Sequence, residues 1–275
     1  MIYIMTAMYY EARPLIKTFG LKKDLNYDKF QVFRNDDVVL IISGVGAVKA
    51  SIAVTYILTS LRRDILDDDI FINFGICGSA YKKNGIVICN KITDHCTGRS
   101  YYPDMLFKHP FLEGEIETFP NVINERRDME SDFVDMEASG AFQAASLFFL
   151  TCQMHFIKII SDFLVTDNIT GNSVEKLVND NLDDFVKWLN LRRNICLKEK
   201  KILTNYENVY IESISHNLNI TDSMKHEFVD LCIDYKIRSH DDLSGVLELF
   251  EKYKCQSKRE GKIYFGKLRS KLMEL

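Results

Sequence analysis

The strongest constraint on this chain is the alternation of short apolar runs with longer stretches of helical period. Ile2 to Thr6, Phe30 to Arg34, Val38 to Ser43, Ile70 to Asn73, Ile86 to Ile92 and Phe156 to Ile160 have the length and composition of strands. Between them lie segments that read as helices: one ending at Phe19, then Ala47 to Arg62, Glu137 to Leu150 and Ser173 to Arg193. Strands that alternate with helices predict an α/β fold, here a three-layer αβα sandwich around a mixed, partly parallel sheet. Pro14 fits the first helix only in its first turn, where no backbone donor is needed. The Asn35-Asp36-Asp37 turn joins two strands into a hairpin. In the second helix Val48, Ile52, Tyr56 and Leu61 repeat near helical spacing. Gly75 to Ser79 reads as a glycine-bearing turn at the end of a strand.

From Thr93 to Asp132 the text is irregular, punctuated by Gly98, Pro103, Pro110, Gly114 and Pro120. Roughly 40 residues is too long for an idle loop, so this stretch is expected to line a site or meet another subunit. After Ile195 only helical patterns remain. Met224, Phe228, Leu231, Cys232 and Tyr235 make one apolar stripe, and Leu243, Leu247, Phe250 and Tyr253 another. Two domains follow: residues 1–195 as the α/β domain and 196–275 as a helical C-terminal extension.

Composition excludes several classes. With 47% hydrophobic residues the chain can bury a core and is not a disordered tail. A net charge of −4 implies neither nucleic acid nor an acidic membrane as partner. No apolar run approaches the roughly 18 residues of a membrane span, and the first residues read as a strand, not a leader. Seven cysteines without a CxxC pair read as reduced core thiols of a cytoplasmic protein. The six histidines are scattered, none at metal-ligand spacing, so no metal and no cofactor is expected. Between Lys252 and Lys271 eight Lys/Arg accompany one acid, Glu260. A solvated helix face accounts for that stretch more simply than a nucleic-acid contact.

Four segments at strand ends bear groups suited to a ligand, because open α/β sheets bind ligands there. They are Ala7 to Glu11, Asn73 to Gly78, Asp135 to Ala141 and Ser161-Asp162. Taken singly, Asp162 is better read as a helix cap or turn residue, and the acid of the Asp135 to Ala141 segment as a first-turn residue of a helix.

Together, in this order, the segments resemble the purine nucleoside phosphorylase/uridine phosphorylase superfamily. The nearest branch is its methylthioadenosine/S-adenosylhomocysteine nucleosidases. The matching text is Ala7-Met8-Tyr9-Tyr10-Glu11; Ser43-Gly44-Val45-Gly46-Ala47-Val48-Lys49-Ala50-Ser51; Asn73 to Gly78; Val134-Asp135-Met136-Glu137-Ala138; and Lys158-Ile159-Ile160-Ser161-Asp162. The resemblance covers about residues 1–190 and implies cleavage of the N-glycosidic bond of a purine nucleoside. It implies that Asp162 assists departure of the base at N7 and that Glu11 orients the attacking water. Lys158 stands where the nucleosidases have a water-holding Arg. Glu137 would hold the ribose hydroxyls with Met136 beside the sugar, and Cys77 with Gly78 would pack by backbone against the base. Ile76 stands where the nucleosidases have a Ser that helps place the water. Phe119 and Val122 are the candidates for further base contact.

Water is favoured over phosphate as nucleophile because the resemblance places Asn73 and Ile76 where the bacterial hexameric phosphorylases have an Arg and a Ser for phosphate. A phosphorylase and a non-catalytic nucleoside-binding protein stay open as alternatives. The resemblance also implies a homo-oligomer in which a neighbour's loop closes the site.

Overall fold

The computed structural model describes residues 1–61, 64–81, 84–126, 129–165, 169–199, 202–239 and 243–274. By its contacts the chain divides into two compact units, Met1–Arg193 and Asn194–Leu275.

The first unit is α/β with a mixed ten-stranded sheet. Strand β1 (Ile2–Thr6) lies between β4 (Val38–Ile42) and β5 (Ile70–Ser79), parallel to both. Beyond β4 come β3 (Gln31–Arg34) and the two-residue β2 (Lys22–Lys23), each antiparallel to its neighbour. The hairpin turn is held by Asn35, whose side-chain oxygen accepts from the amides of Asp37 and Val38. On the other side β5 pairs with β10 (Met154–Asp162), β10 with β6 (Ile86–Asp94), and β6 with β8 (Leu112–Thr118). β8 pairs with β9 (Phe133–Asp135), and β9 returns to the end of β5. Five strands thus close a ring, and β7 (Ser100–Tyr101) pairs onto β6 outside it.

Side chains alternate across each strand, so the sheet feeds two cores. Tyr3, Met5, Phe71, Cys77, Cys89, Phe133 and Ile160 share one cluster with α2 (Ala47–Ser60) and α3 (Ala138–Ala145). Ile2, Ile4, Ile72, Phe74, Ile157 and Ile159 share the other with α1 (Tyr9–Thr18) and α4 (Gly171–Glu199). Burial on both faces explains why β1 and the start of β5 read as continuous apolar runs.

Several elements differ from the expectations. Pro14 is the sixth residue of α1, not a first-turn residue. The missing donor would have served the carbonyl of Tyr10, on a partly exposed residue where water can replace it. Residues Gly75 to Ser79 are not a turn but the second half of β5, extended because β10 and β9 pair with them. The stretch 93–132 contains β7 and β8. The face of α2 that packs is Ala50, Ala53, Val54, Ile57 and Leu58, whereas Val48 and Ile52 are 73% and 54% exposed. Small residues such as Ala50 and Ala53 lie on the packed face, and Val48 and Ile52 are left outside. Arg62, the expected end of α2, lies outside the described residues. Helix α3 stops at Ala145, five residues short of Leu150, and a 3-10 turn (Thr151–Gln153) leads into β10.

The second unit contains helices α5 (Asn205–Asn217), α6 (Asp222–Ser239), α7 (Ser244–Glu251) and α8 (Lys258–Met273). Phe228 and Cys232 from the first expected stripe and Leu243, Leu247 and Phe250 from the second are buried in one cluster. Thr204 and Glu207 form a capping box at the start of α5. The basic stretch is partly paired, Arg269 with Glu227 and Lys271 with Glu274. Among the described residues no helix is long and apolar enough to cross a membrane.

The α2–α3 contact supplies a direct test. A Cβ on Gly140 would lie 2.0 Å from the Ala47 carbonyl oxygen. Gly140→Ala is expected to cost about 1–3 kcal/mol, the usual range for overpacking, measured as a lowered urea midpoint with unchanged slope.

Candidate active site

Five strand ends and the loop before α2 converge on a single cavity of about 340 Å³. Its wall includes Ala7, Met8 and Glu11 from β1 and α1, Val45 from the loop before α2, and Ile76 and Gly78 from β5. Further wall comes from Phe119, Asn121, Val122 and Ile123 after β8, Val134 to Glu137 around the end of β9, and Ser161, Asp162, Leu164 and Ile169 after β10. Glu11, Glu137 and Asp162 therefore face one space, together with Met136, Ile76, Gly78, Phe119 and Val122. Lys158 and Cys77 lie behind the wall and do not line it. Cys77 is a core residue whose thiol burial pushes well above its ordinary range.

Glu11 sits three residues past Met8, where a helix has unsatisfied amides. Its Oε2 accepts from the amides of Ala7 at 2.9 Å and Met8 at 2.8 Å. Its Oε1 accepts from the amide of Ile76 at 3.0 Å. A Cβ on Gly75 would come within 2.8 Å of Oε1, so glycine is required there to admit the carboxylate. Burial raises the Glu11 pKa, against the opposing pull of these amides and of the Lys158 charge.

Glu137 precedes the first turn of α3, and its Oε1 accepts from the amide of Gly46 at 3.0 Å. Gly46 has φ +112°, a conformation open in practice only to glycine. Burial first, and then the neighbouring Asp135 charge, push the Glu137 carboxyl up to about 7. Asp162 ends β10 just after a register shift, and Ser161 Oγ lies 2.6 Å from its Oδ2 and 3.1 Å from the Cys77 carbonyl oxygen.

Behind these groups lies an ion pair whose side chains are almost wholly excluded from solvent, with Lys158 Nζ 2.7 Å from Asp135 Oδ2. Asp135 also accepts from Thr118 Oγ1 and from the amide of Ala138, both at 2.8 Å. Burial by itself would lower the Lys158 pKa, but Asp135, Glu137 and Glu11 together hold it above its ordinary value. Asp135 was legible only as part of a motif, with no role of its own. Asn121 and Ile123 lay within the irregular text, and Leu164 and Ile169 carried no sequence signal. Among the described residues no group of three or more His, Cys, Asp or Glu is placed to hold a metal ion.

No family model matches the sequence, and no curated protein matches it significantly. Solved structures do. A futalosine hydrolase mutant of Helicobacter pylori superposes with a TM-score of 0.57 at 14% identity, over 69% of this chain and 98% of that one. The 5′-methylthioadenosine/S-adenosylhomocysteine nucleosidase of S. pneumoniae, solved with a transition-state inhibitor, gives 0.56 at 18%, over 67% and 96%. The 5′-methylthioadenosine nucleosidase of Arabidopsis thaliana in its apo form gives 0.57 at 18%, over 70% and 95%. The chain has the nucleosidase fold.

Two outcomes follow from the site's electrostatics. Removing one partner of a buried ion pair strands the other charge, so Lys158→Met should cost about 3–5 kcal/mol in urea unfolding. Lys158→Met combined with Asp135→Asn should recover part of that loss. Glu137 keeps its proton to about pH 7 when folded, against an ordinary value of 4.5 for a free glutamate. Its contribution to stability is full below pH 4.5 and is lost as the pH rises to about 7. Glu137→Gln should flatten that decline when unfolding is measured across the window.

Proposed function

We propose that this protein cleaves the N-glycosidic bond of a purine nucleoside by hydrolysis, in the manner of a methylthioadenosine/S-adenosylhomocysteine nucleosidase. The observation that carries this reading is the convergence of Glu11, Glu137 and Asp162 on one largely apolar cavity large enough for a sugar joined to a base.

In this reading Asp162 delivers a proton to purine N7. The C1′–N9 bond breaks with its electron pair leaving on the base, and positive charge grows on the ribose. Glu137 accepts hydrogen bonds from the ribose hydroxyls, and Met136 packs beside the sugar. Glu11 has three of its four lone-pair positions filled by amides. The fourth is left to orient water and take its proton as the new C1′–O bond forms. Ile76 adds an apolar wall beside that water. Gly78 admits the base closely, and Phe119 and Val122 supply apolar contact to it. Lys158 contributes charge through Asp135 from behind the wall and does not touch water.

Water rather than phosphate is favoured because none of the described residues lining the cavity is Lys or Arg. A phosphate dianion needs such donors.

Within the same proposal the α/β part is a three-layer αβα sandwich over residues 1–195, and residues 196–275 are a separate helical extension. The protein is cytoplasmic, and the exposed Val45 at the cavity and Val48 and Ile52 on α2 suit a homo-oligomer.

The decisive assay incubates the chain with methylthioadenosine, S-adenosylhomocysteine, adenosine and inosine, with and without phosphate. Free base is expected from at least one of them with no need for phosphate. Asp162→Asn should lower kcat by about 10²–10⁴-fold, the usual contribution of a general acid, with its thermal midpoint unchanged. A strict phosphate requirement would establish a phosphorylase instead. Tight nucleoside binding without turnover would leave a binding protein.

A further inference from the structure

The wall of the cavity at Phe119 has a built backing. In the parallel pair β6–β8, Asp94 is in register with Thr118, and the pairing continues one step further. The amide of His95 donates to the Thr118 carbonyl at 3.1 Å, so His95 and Phe119 emerge side by side from adjacent strand ends. Their rings stack at 4.0 Å between centroids and 24° between planes.

His95 is itself held. Its Nδ1 lies 2.7 Å from Glu117 Oε1. Glu117 is 4% exposed, and its Oε2 accepts from the amides of Glu130 at 2.8 Å and Ser131 at 3.4 Å. A buried carboxylate fixed by two amides thus sets the plane of a half-exposed imidazole. His95 does not line the cavity; it borders a second hollow on the outer side of Phe119. Phe119 otherwise clusters with Val134 and Leu164, with Ile123 and Met129 packed against them, and none of these four carries a ring to set its plane. Past Phe119 the chain turns away through Pro120 to the exposed Asn121 and Val122.

We propose that His95 is a positioning residue for the base site: clamped by Glu117, it locks the plane of Phe119 so that the ring presents one face to the purine. The proposal rests on the purine-nucleoside reading and deepens it. The stack then runs imidazole, phenyl, base, and the energy at stake is that of one aromatic pair. Because the base makes this contact both before and during bond cleavage, the contribution falls on affinity and not on the chemical step.

The test uses the full chain with whichever nucleoside it cleaves best, plus the corresponding free base as a ligand in calorimetry. His95→Ala should raise KM, and weaken free-base binding, by about three- to tenfold, with kcat within about twofold of the parent. His95→Phe, which keeps a flat ring but loses the Glu117 bond, should recover only part of the affinity. Thermal midpoints of both variants report whether the fold is intact. Unchanged KM and base affinity in His95→Ala overturns the proposal. So does a fall in kcat at constant KM, or full recovery of affinity by His95→Phe, while nucleoside cleavage itself still stands. A parent protein that neither binds nor cleaves any purine nucleoside overturns both readings at once.

Discussion

The buried pair between Lys158 and Asp135 is the interaction on which the rest of the site depends. An ammonium enclosed by a ring of strands is tolerable only against fixed negative charge, and three carboxylates, Asp135, Glu137 and Glu11, act on it. Asp135 does more than neutralise it. The same carboxylate receives the first-turn amide of α3 and the hydroxyl of Thr118, so it fixes the helix that follows Glu137 and the strand that precedes Phe119. Sugar side and base side of the cavity are thereby referred to one buried point. The cavity acids can then remain poised without direct partners of opposite charge.

Glycine does the complementary steric work. Gly75 lets the carboxylate of Glu11 reach the amide of Ile76, and Gly46 turns its own amide toward Glu137 through a backbone conformation closed to other residues. In both places a main-chain donor takes the role that a side chain would otherwise fill. Neither acid is therefore at the mercy of a mobile partner, and both keep lone pairs directed to the cavity.

Much of this was legible in the text. The strand β1 has the bounds its apolar run announces, and the three acids fell within motifs whose joint order pointed to one site. What escaped had physical reasons. Strand β8, Leu112–Thr118, contains three glutamates and one glycine, and its burial comes from β6 and β9 on either side, not from apolarity of its own. Gly114 is there because the ring of Phe133 occupies the space a Cβ would need, a long-range fact with no local trace. Residues Gly75 to Ser79 looked like a turn for the same reason: glycines placed for close approach imitate glycines placed for chain reversal. Lys158 was assigned to the cavity by the position of an arginine in similar proteins. In this chain it meets an aspartate instead, and its charge stays behind the wall.

Closure of five strands into a ring also bears on how the protein behaves in solution. Strands with unsatisfied amides and carbonyls along one side are templates for association with other chains. Here the described strand that ends the pairing path beyond β3, Lys22–Lys23, is only two residues long, as is Ser100–Tyr101, which pairs onto β6 off that path. The first presents two exposed ammonium groups where a foreign strand would have to dock. A sheet of ten strands, rich in β-branched residues, is in this way made a poor seed for aggregation.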